Sequence, residues 1–127
     1  MNEECGLVLG DYSKSVRQLS GVLKMRKTVY LRDASIKRFE LTFELSWKLL
    51  KTFLNEQGFV CNSPKLCLQQ AFSLGLINDN PLWFDMLNDR NSSVHSYSEK
   101  FADTLYEKLH KYLKLFQELE KGIKKHL

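Results

Sequence analysis

The stretch FADTLYEKLHKYLKLFQELEKGI, residues 101–123, decides the fold. Its apolar and aromatic residues recur at spacings of 4, 4, 3, 4, 3 and 4, and charged or polar residues occupy most positions between them. These spacings are typical of one buried face of an α-helix and continue for about six turns. They predict a long amphipathic helix that begins after Ser98. The residues of its apolar face are Phe101, Leu105, Leu109, Tyr112, Phe116, Leu119 and Ile123.

Two earlier segments carry the same helical period. Tyr12, Val16, Leu19 and Leu23 predict a first helix at about residues 9–27. A second helix is indicated by a longer apolar stripe, with an aspartate suited to the N-cap and a glycine suited to the position after the C-cap. The stripe consists of Ile36, Phe39, Phe43, Trp47, Leu50 and Leu54, and the two capping candidates are Asp33 and Gly58.

Two further helices share one opening pattern, an N-cap residue followed by proline. Ser63-Pro64 predicts a helix over 64–74 that stops at Gly75, and Asn80-Pro81 predicts another that begins at Pro81. No segment alternates apolar and polar residues between turns, so strands are not expected. The short connectors favour antiparallel neighbours. We therefore predict an all-α fold, an antiparallel up-and-down bundle of four to five helices.

Length and composition set limits on function. A chain of 127 residues is enough for one domain, which we expect to span residues 1–127. With 15 aromatic residues (8 Phe, 5 Tyr and 2 Trp), apolar surface is expected to remain for a homodimer. The net charge of +4 permits a nucleic-acid partner without requiring one. The acidic N-terminal residues and the lack of about 20 consecutive apolar residues predict a cytoplasmic protein that contacts no membrane.

The three cysteines fit neither a disulfide framework nor a metal site by their spacing. Cys61 and Cys67 are separated by five residues, which is not a zinc-knuckle pattern, and Cys5 is distant in sequence. We expect all three to be small, partly buried thiols. The chain also lacks a glycine-rich phosphate loop, a G-x-S-x-G motif and a zinc signature, so no metal or cofactor is expected.

The polar stretch NDRNSSVHSYSEK, residues 88–100, contains the residues best suited to a catalytic role. Histidine exchanges a proton near neutral pH, and arginine can hold a phosphate through two hydrogen bonds. Such a pair suffices for RNA cleavage without a metal, because a base takes the 2′-OH proton and a cation stabilises the developing negative charge. The alternative is a polar helix end whose Arg90 and His95 merely face the negative end of the helix dipole.

Helical geometry separates the two side chains of this pair. On a continuous helix Arg90 and His95 point about 140° apart, whereas Asn91 and His95 nearly align. Either the helix ends before His95, or a second copy of the chain completes the site. Glu40 and Glu44 form another candidate pair at i, i+4, but we interpret them as a solvated or interface face.

Residues 90–97, RNSSVHSY, fit the R-x4-H-x-Y motif of HEPN-domain proteins. The chain resembles one branch of them, the nucleotidyltransferase substrate-binding proteins that include HepT-type toxins. The other resembling segments are RDASIKRFELTFELSWKLLK (32–51), SPKLCLQQAFSLGLI (63–77) and LWFDMLNDRN (82–91).

The resemblance implies a helical homodimer in which two R-x4-H motifs share one cleft, together with a minimal nucleotidyltransferase partner. In the toxin–antitoxin reading it implies a ribonuclease acting on RNA, with Arg90 and His95 catalytic and Asn91 supporting them. The partner would silence this ribonuclease by transferring AMP to Tyr97. In an alternative reading, such a protein is a non-catalytic subunit that binds nucleotide or presents a substrate to the nucleotidyltransferase.

Overall fold

The computed structural model describes residues 1–78, 81–96 and 98–126. Within these residues the regular structure is entirely helical, which confirms the all-α prediction. The five helices are α1 (Glu3–Leu23), α2 (Val29–Glu56), α3 (Pro64–Ser73), α4 (Leu82–Ser93) and α5 (Glu99–Lys124). Among the described residues, no helix combines the length and the apolar character needed to cross a bilayer.

Helices α1 and α2 run antiparallel. The backbone N–H of Asn2 at the start of α1 donates to the Glu56 carboxylate at the end of α2. Further along α1, the hydroxyls of Ser15 and Thr42 lie 2.7 Å apart in a buried hydrogen bond. The contacts move toward the C-terminus of α1 as they move toward the N-terminus of α2, so the two helices run in opposite directions.

Helices α2 and α5 run parallel. Near the start of both, Arg32 contacts Asp103, and near the end of both, the rings of Phe53 and His126 lie 5.1 Å apart. Since α4 lies between them in sequence and runs against both, the longer helices alternate in direction. The predicted up-and-down order is therefore confirmed.

The apolar face of α5 is central to the core. Six of its seven predicted residues are at most 1% exposed, and Phe101 is partly buried. The ring of Tyr112 stacks on Phe39 of α2 at 5.5 Å. The Tyr12 hydroxyl of α1 donates to the Phe116 carbonyl at 2.7 Å, and burial raises the pKa of Tyr12 well above its ordinary value.

The predicted starts of the first two helices were wrong. Helix α1 begins at Glu3 because the Asn2 side chain accepts a hydrogen bond from Cys5 N at 2.9 Å and caps the helix there. Helix α2 begins before Asp33, because the Thr28 hydroxyl caps it by accepting from Leu31 N at 3.0 Å. For α2, apolar period alone could not locate the start, because the cap Thr28 precedes the first fully buried apolar residue, Phe39, by several turns. For α1, the buried Cys5 and Val8 extend the apolar face toward Asn2, ahead of the predicted start.

The predicted end of the first helix at about residue 27 was also wrong, since α1 ends at Leu23. Several other predicted helix ends are confirmed. Ser63 and Ser98 cap α3 and α5 by accepting hydrogen bonds from backbone N–H groups, each at 3.2 Å. Gly58 and Gly75 follow α2 and α3 with φ of +88° and +73°, a left-handed conformation that glycine adopts without strain. The predicted cap Asn80 lies outside the described residues, and α4 begins at Leu82, one residue after Pro81.

The cysteine prediction was wrong for two of the three residues. Cys61 and Cys67 form a disulfide with their Cα atoms 5.1 Å apart, because the α2–α3 connector folds back onto the first turn of α3. Sequence spacing does not report that turn. Cys5 is a free, buried thiol as expected, and desolvation, followed by the charge of Glu56, raises its pKa to about 11.

A buried arginine joins the starts of α2 and α5. Arg32 is 3% exposed, and its Nη1 lies 2.7 Å from Glu99 and 3.1 Å from Asp103. Asp33 lies 3.0 Å from its Nη2, and Lys27 lies 3.2 Å from Asp103. Hydrogen bonds from Arg32 and then Lys27 hold the pKa of Asp103 below its ordinary value. This cluster lies beside the connector between α4 and α5.

Candidate functional site

The R-x4-H segment spans the end of α4. Arg90 lies in the last turn of the helix, which ends at Ser93. His95 follows in a turn closed by a hydrogen bond from its backbone N–H to the Ser92 carbonyl at 3.1 Å. The helix thus ends between Arg90 and His95, the first of the two solutions predicted. The regular helix on which the expected angle of about 140° was based therefore does not extend to His95.

The Arg90 side chain is held against α2. Its Nη2 forms an ion pair with Glu44 Oε1, and its Nη1 donates to Asn91 Oδ1 at 3.1 Å. The side chain is 26% exposed. Within the described part of the chain, its Nε atom is buried without a hydrogen-bond partner. The guanidinium is therefore oriented through its terminal nitrogens.

One face of α2 supplies the carboxylates that receive the end of α4. Trp47 Nε1 donates to Glu44 Oε2 at 3.1 Å, so Glu44 binds both the indole and Arg90. One turn earlier, Glu40 Oε2 accepts a hydrogen bond from Ser93 Oγ at 2.7 Å. The two carboxylates interpreted from sequence as a solvated or interface face instead join α2 to the motif.

Asp89 fixes the other side of the same turn to α5. Its Oδ2 accepts a hydrogen bond from the Tyr112 hydroxyl and lies 3.2 Å from Lys108 Nζ. Burial, and then the hydrogen bond and charge of Asp89, raise the pKa of Tyr112 above its ordinary range. Asp89 and Arg90 together clamp the last turn of α4 between two long helices.

The other predicted site residues are more accessible than Arg90. His95 and Asn91 are exposed, and Val94 beside His95 is 46% exposed. Among the described residues, the hydrogen bonds of Arg90 go to α2 and to Asn91, and none joins it to His95. Tyr97 lies outside the described residues. One chain therefore presents a fixed cation in the last turn of α4 and an exposed imidazole in the turn that follows, with no hydrogen bond among the described residues linking them.

An open cleft of about 260 Å³ adjoins the motif on the side of α5. Ser93 and Ser96 form one wall, Arg32 and Glu99 contribute charge, and Phe101 contributes apolar surface. Among the described residues, no group of three or more His, Cys, Asp or Glu side chains is arranged to hold a metal ion. Arg90 and His95 do not line this cleft, which lies beside the motif. An arginine and an imidazole are groups that suit phosphate binding and proton transfer.

Fold and motif together define an all-helical protein with R-x4-H at the end of its fourth helix. The chain belongs to the family described as nucleotidyltransferase substrate binding protein like, whose model matches residues 7–125.

Individual relatives agree with this family. A Thermus thermophilus protein of known crystal structure is 33% identical with a TM-score of 0.80, covering 85% of this chain and 94% of that one. A Haemophilus influenzae structure, described as the fold of a substrate binding domain of a nucleotidyltransferase, covers 94% of this chain and 96% of its own with a TM-score of 0.69. At 23% identity, it supports the fold alone.

A curated relative carries a functional name. It is the "Probable ribonuclease HepT" of Haemophilus influenzae strain Rd, 29% identical over an alignment of 84 residues, and the match covers 62% of this chain. The match spans 58% of the length of that relative.

Proposed function

We propose that this protein is a HepT-like, metal-independent ribonuclease, the toxin of a toxin–antitoxin pair, formed by a single domain over residues 1–127. The observation that carries the proposal is the placement of Arg90 and His95. The arginine is held by Glu44 at the end of α4, and the imidazole is exposed in the turn that follows. The resemblance to a probable ribonuclease supports the same reading.

The proposed reaction uses two side chains. His95 takes the proton of a ribose 2′-OH, and the 2′-oxygen attacks the adjacent phosphorus. Arg90 stabilises the negative charge that builds up on the phosphoryl oxygens, with Asn91 supporting its guanidinium. The bond to the 5′-oxygen then breaks, and that oxygen takes a proton from the imidazolium. The products are a 2′,3′-cyclic phosphate and a free 5′-hydroxyl.

The active form we propose is a homodimer with the two motifs in one cleft. Within one chain Arg90 is turned toward α2, and no hydrogen bond among the described residues ties it to His95. Arg90 of one copy and His95 of the other would bracket a single phosphate. The exposed Val94 and Leu41, beside His95 and Glu40 respectively, supply apolar surface that pairing could bury.

Regulation is assigned to a cognate minimal nucleotidyltransferase in the cytoplasm. In the proposed step, the Tyr97 hydroxyl attacks the α-phosphorus of ATP, AMP becomes bonded to the tyrosine, and pyrophosphate leaves. The added phosphate places negative charge two residues from His95, where it competes with RNA for Arg90. The family to which the chain belongs supports a partner of this kind.

A second function rests on the charge balance at Arg90. Because Glu44 already pairs with this arginine, the motif of one chain offers less positive charge than a free guanidinium. This reduced positive charge is sufficient for a non-catalytic subunit that binds nucleotide or presents a substrate to the nucleotidyltransferase. The family description is consistent with this alternative.

RNA cleavage decides between the two functions. Purified protein incubated with RNA in EDTA should yield fragments ending in 2′,3′-cyclic phosphate. We expect His95→Ala and Arg90→Ala each to reduce cleavage by at least about a hundredfold, since general base and charge stabilisation each contribute at that scale. His110→Ala, at an exposed histidine on α5, is the matched control. Intact RNA, or equal cleavage by wild type and His95→Ala, would refute the ribonuclease.

A further inference from the structure

We propose that Glu44 is the positioning residue for Arg90, so that α2 sets the direction in which the motif presents its cation. This inference rests on the proposed function, since it concerns the arginine of the same site. It adds to the R-x4-H motif a residue from a different helix, joined to the motif by a chain of polar contacts: Trp47 to Glu44, Glu44 to Arg90, and Arg90 to Asn91.

The Arg90 guanidinium has donors left only on its two terminal nitrogens. Nη2 of Arg90 faces Glu44, Nη1 donates one hydrogen to Asn91, and Nε is buried. A guanidinium is planar and carries two hydrogens on each terminal nitrogen. Because Nε is enclosed, a phosphate can approach only through the terminal nitrogens. Their direction depends on the plane that Glu44 and Asn91 fix.

The Glu44 carboxylate is itself held in place. Glu44 lies within the long helix α2, and its Oε2 accepts the indole hydrogen of Trp47 at 3.1 Å. One oxygen is therefore held by its own helix, and the other is directed at α4. A carboxylate tethered at one oxygen is a fixed reference for an arginine on a neighbouring helix.

The Glu44–Arg90 contact matters more for the orientation of the guanidinium than for the stability of the fold. The Glu44 and Arg90 side chains are 42% and 26% exposed, and ion pairs this accessible contribute little to the free energy of unfolding. Asp89 and Ser93 also join the end of α4 to its neighbours. The Glu44 contact is thus a small part of what holds the helix, whereas it is the main contact that orients the guanidinium.

A kinetic comparison provides the first test. We expect Glu44→Ala to lower kcat for RNA cleavage by about ten- to a hundredfold, the effect of a misplaced catalytic group, with a smaller rise in KM. Glu44→Gln keeps an oxygen acceptor and should retain activity within about tenfold of wild type. Trp47→Phe should give a smaller loss in the same direction. Glu107→Gln, at an exposed glutamate of α5, is the matched control and should not change either constant.

A second test needs no activity. The Nε–H signal of Arg90 in NMR spectra, assigned by its disappearance in Arg90→Lys, should show the restricted motion of the buried Arg32. In Glu44→Ala it should become as mobile as the exposed Arg26, while the Arg32 signal and the melting temperature stay unchanged. Glu44→Gln should keep the restricted motion.

The outcomes separate this inference from the proposed function. An ordered Arg90 signal in Glu44→Ala, or cleavage that rises when Glu44 is removed, overturns the positioning role. A wild-type protein that leaves RNA intact overturns the ribonuclease. In that case the NMR comparison still decides whether Glu44 orients the arginine.

Discussion

Arg90 illustrates what a linear motif reports and what it omits. The pattern R-x4-H picks out Arg90 and His95, and the structure places both at the end of one helix. It does not report Glu44, because an i, i+4 pair of carboxylates is equally suited to a solvated face. Only the antiparallel packing of α2 against α4 reveals which charge faces the arginine.

Tyr97 gives a prediction at the level of a single side chain. After coexpression with the cognate nucleotidyltransferase and ATP, tryptic mass spectrometry should find AMP on Tyr97, because its hydroxyl is the proposed acceptor. Tyr97→Phe removes only that hydroxyl and should block both the added mass and the silencing of cleavage. AMP attached to another residue, or silencing that persists in Tyr97→Phe, would contradict the assignment.

The cysteines show a limit of sequence spacing. Five intervening residues could lie in a helix, a turn or an extended segment, and each would separate the sulfurs differently. The disulfide forms because the connector after Gly58 reverses and brings Cys61 over the first turn of α3. Cys5 followed expectation since its side chain lies on the buried face of α1.

At the scale of helices, ends marked by a strong local signal were predicted well. Ser63 and Ser98 cap α3 and α5, and Gly58 ends α2. The starts of α1 and α2 were missed for different reasons. In α2 the first turn lies outside the buried apolar stripe, so no apolar period marks it. In α1 the buried stripe does reach the first turn through Cys5 and Val8, and the predicted start was placed after them.

The ion pair between Arg32 and Asp103, which connects the starts of α2 and α5, predicts how stability depends on pH. The pKa of Asp103 is lowered in the folded protein, so its contribution is present above the unfolded value of about 3.9 and is lost as pH falls through the folded value. Asp103→Asn should therefore lower the melting temperature at neutral pH. The difference from wild type should shrink toward zero in acid.

Thermal unfolding by circular dichroism at a series of pH values measures this difference. Asp11→Asn, at an exposed carboxylate of α1, serves as the control and should show no difference at neutral pH. If the difference in melting temperature between Asp103→Asn and wild type persists unchanged into strong acid, Asp103 stabilises the contact between α2 and α5 through something other than its charge.

For the molecule as a whole, the sequence determined the class of fold through its apolar periods. The stripe of α5 and the aromatic residues Phe39 and Phe43 of α2 are buried as their spacing predicted. The parallel relation of α2 and α5 was not predicted, since it holds only when the short helix α3 is left out of the alternation. The buried Arg32 was not foreseen, since nothing local distinguishes it from a surface arginine.

The proposed dimer yields a prediction about mixed assemblies. Arg90→Ala and His95→Ala should each, when alone, cleave RNA at least about a hundredfold more slowly than wild type. A dimer of one chain of each has one site with both groups intact if each site takes Arg90 from one chain and His95 from the other. Random mixing should then restore about a quarter of wild-type activity, because half the dimers are mixed and each has one working site of two.

The measurement is cleavage by the two variants unfolded together, refolded and compared with each variant treated alone. Sites built within one chain predict no recovery at all. Sedimentation of the mixture shows whether dimers have formed.

The contacts between α2 and α4 also have a consequence for the evolution of the sequence. Glu40 and Ser93 are 53 positions apart in sequence, yet they hydrogen-bond, and Glu44 and Arg90 pair beside them. A recombination event within the α2–α3 connector would take the carboxylates from one parent and their partners from the other. We therefore expect descendants to retain substitutions at positions 44 and 90 mainly in compatible pairs, so that two distant segments of the gene evolve as one unit.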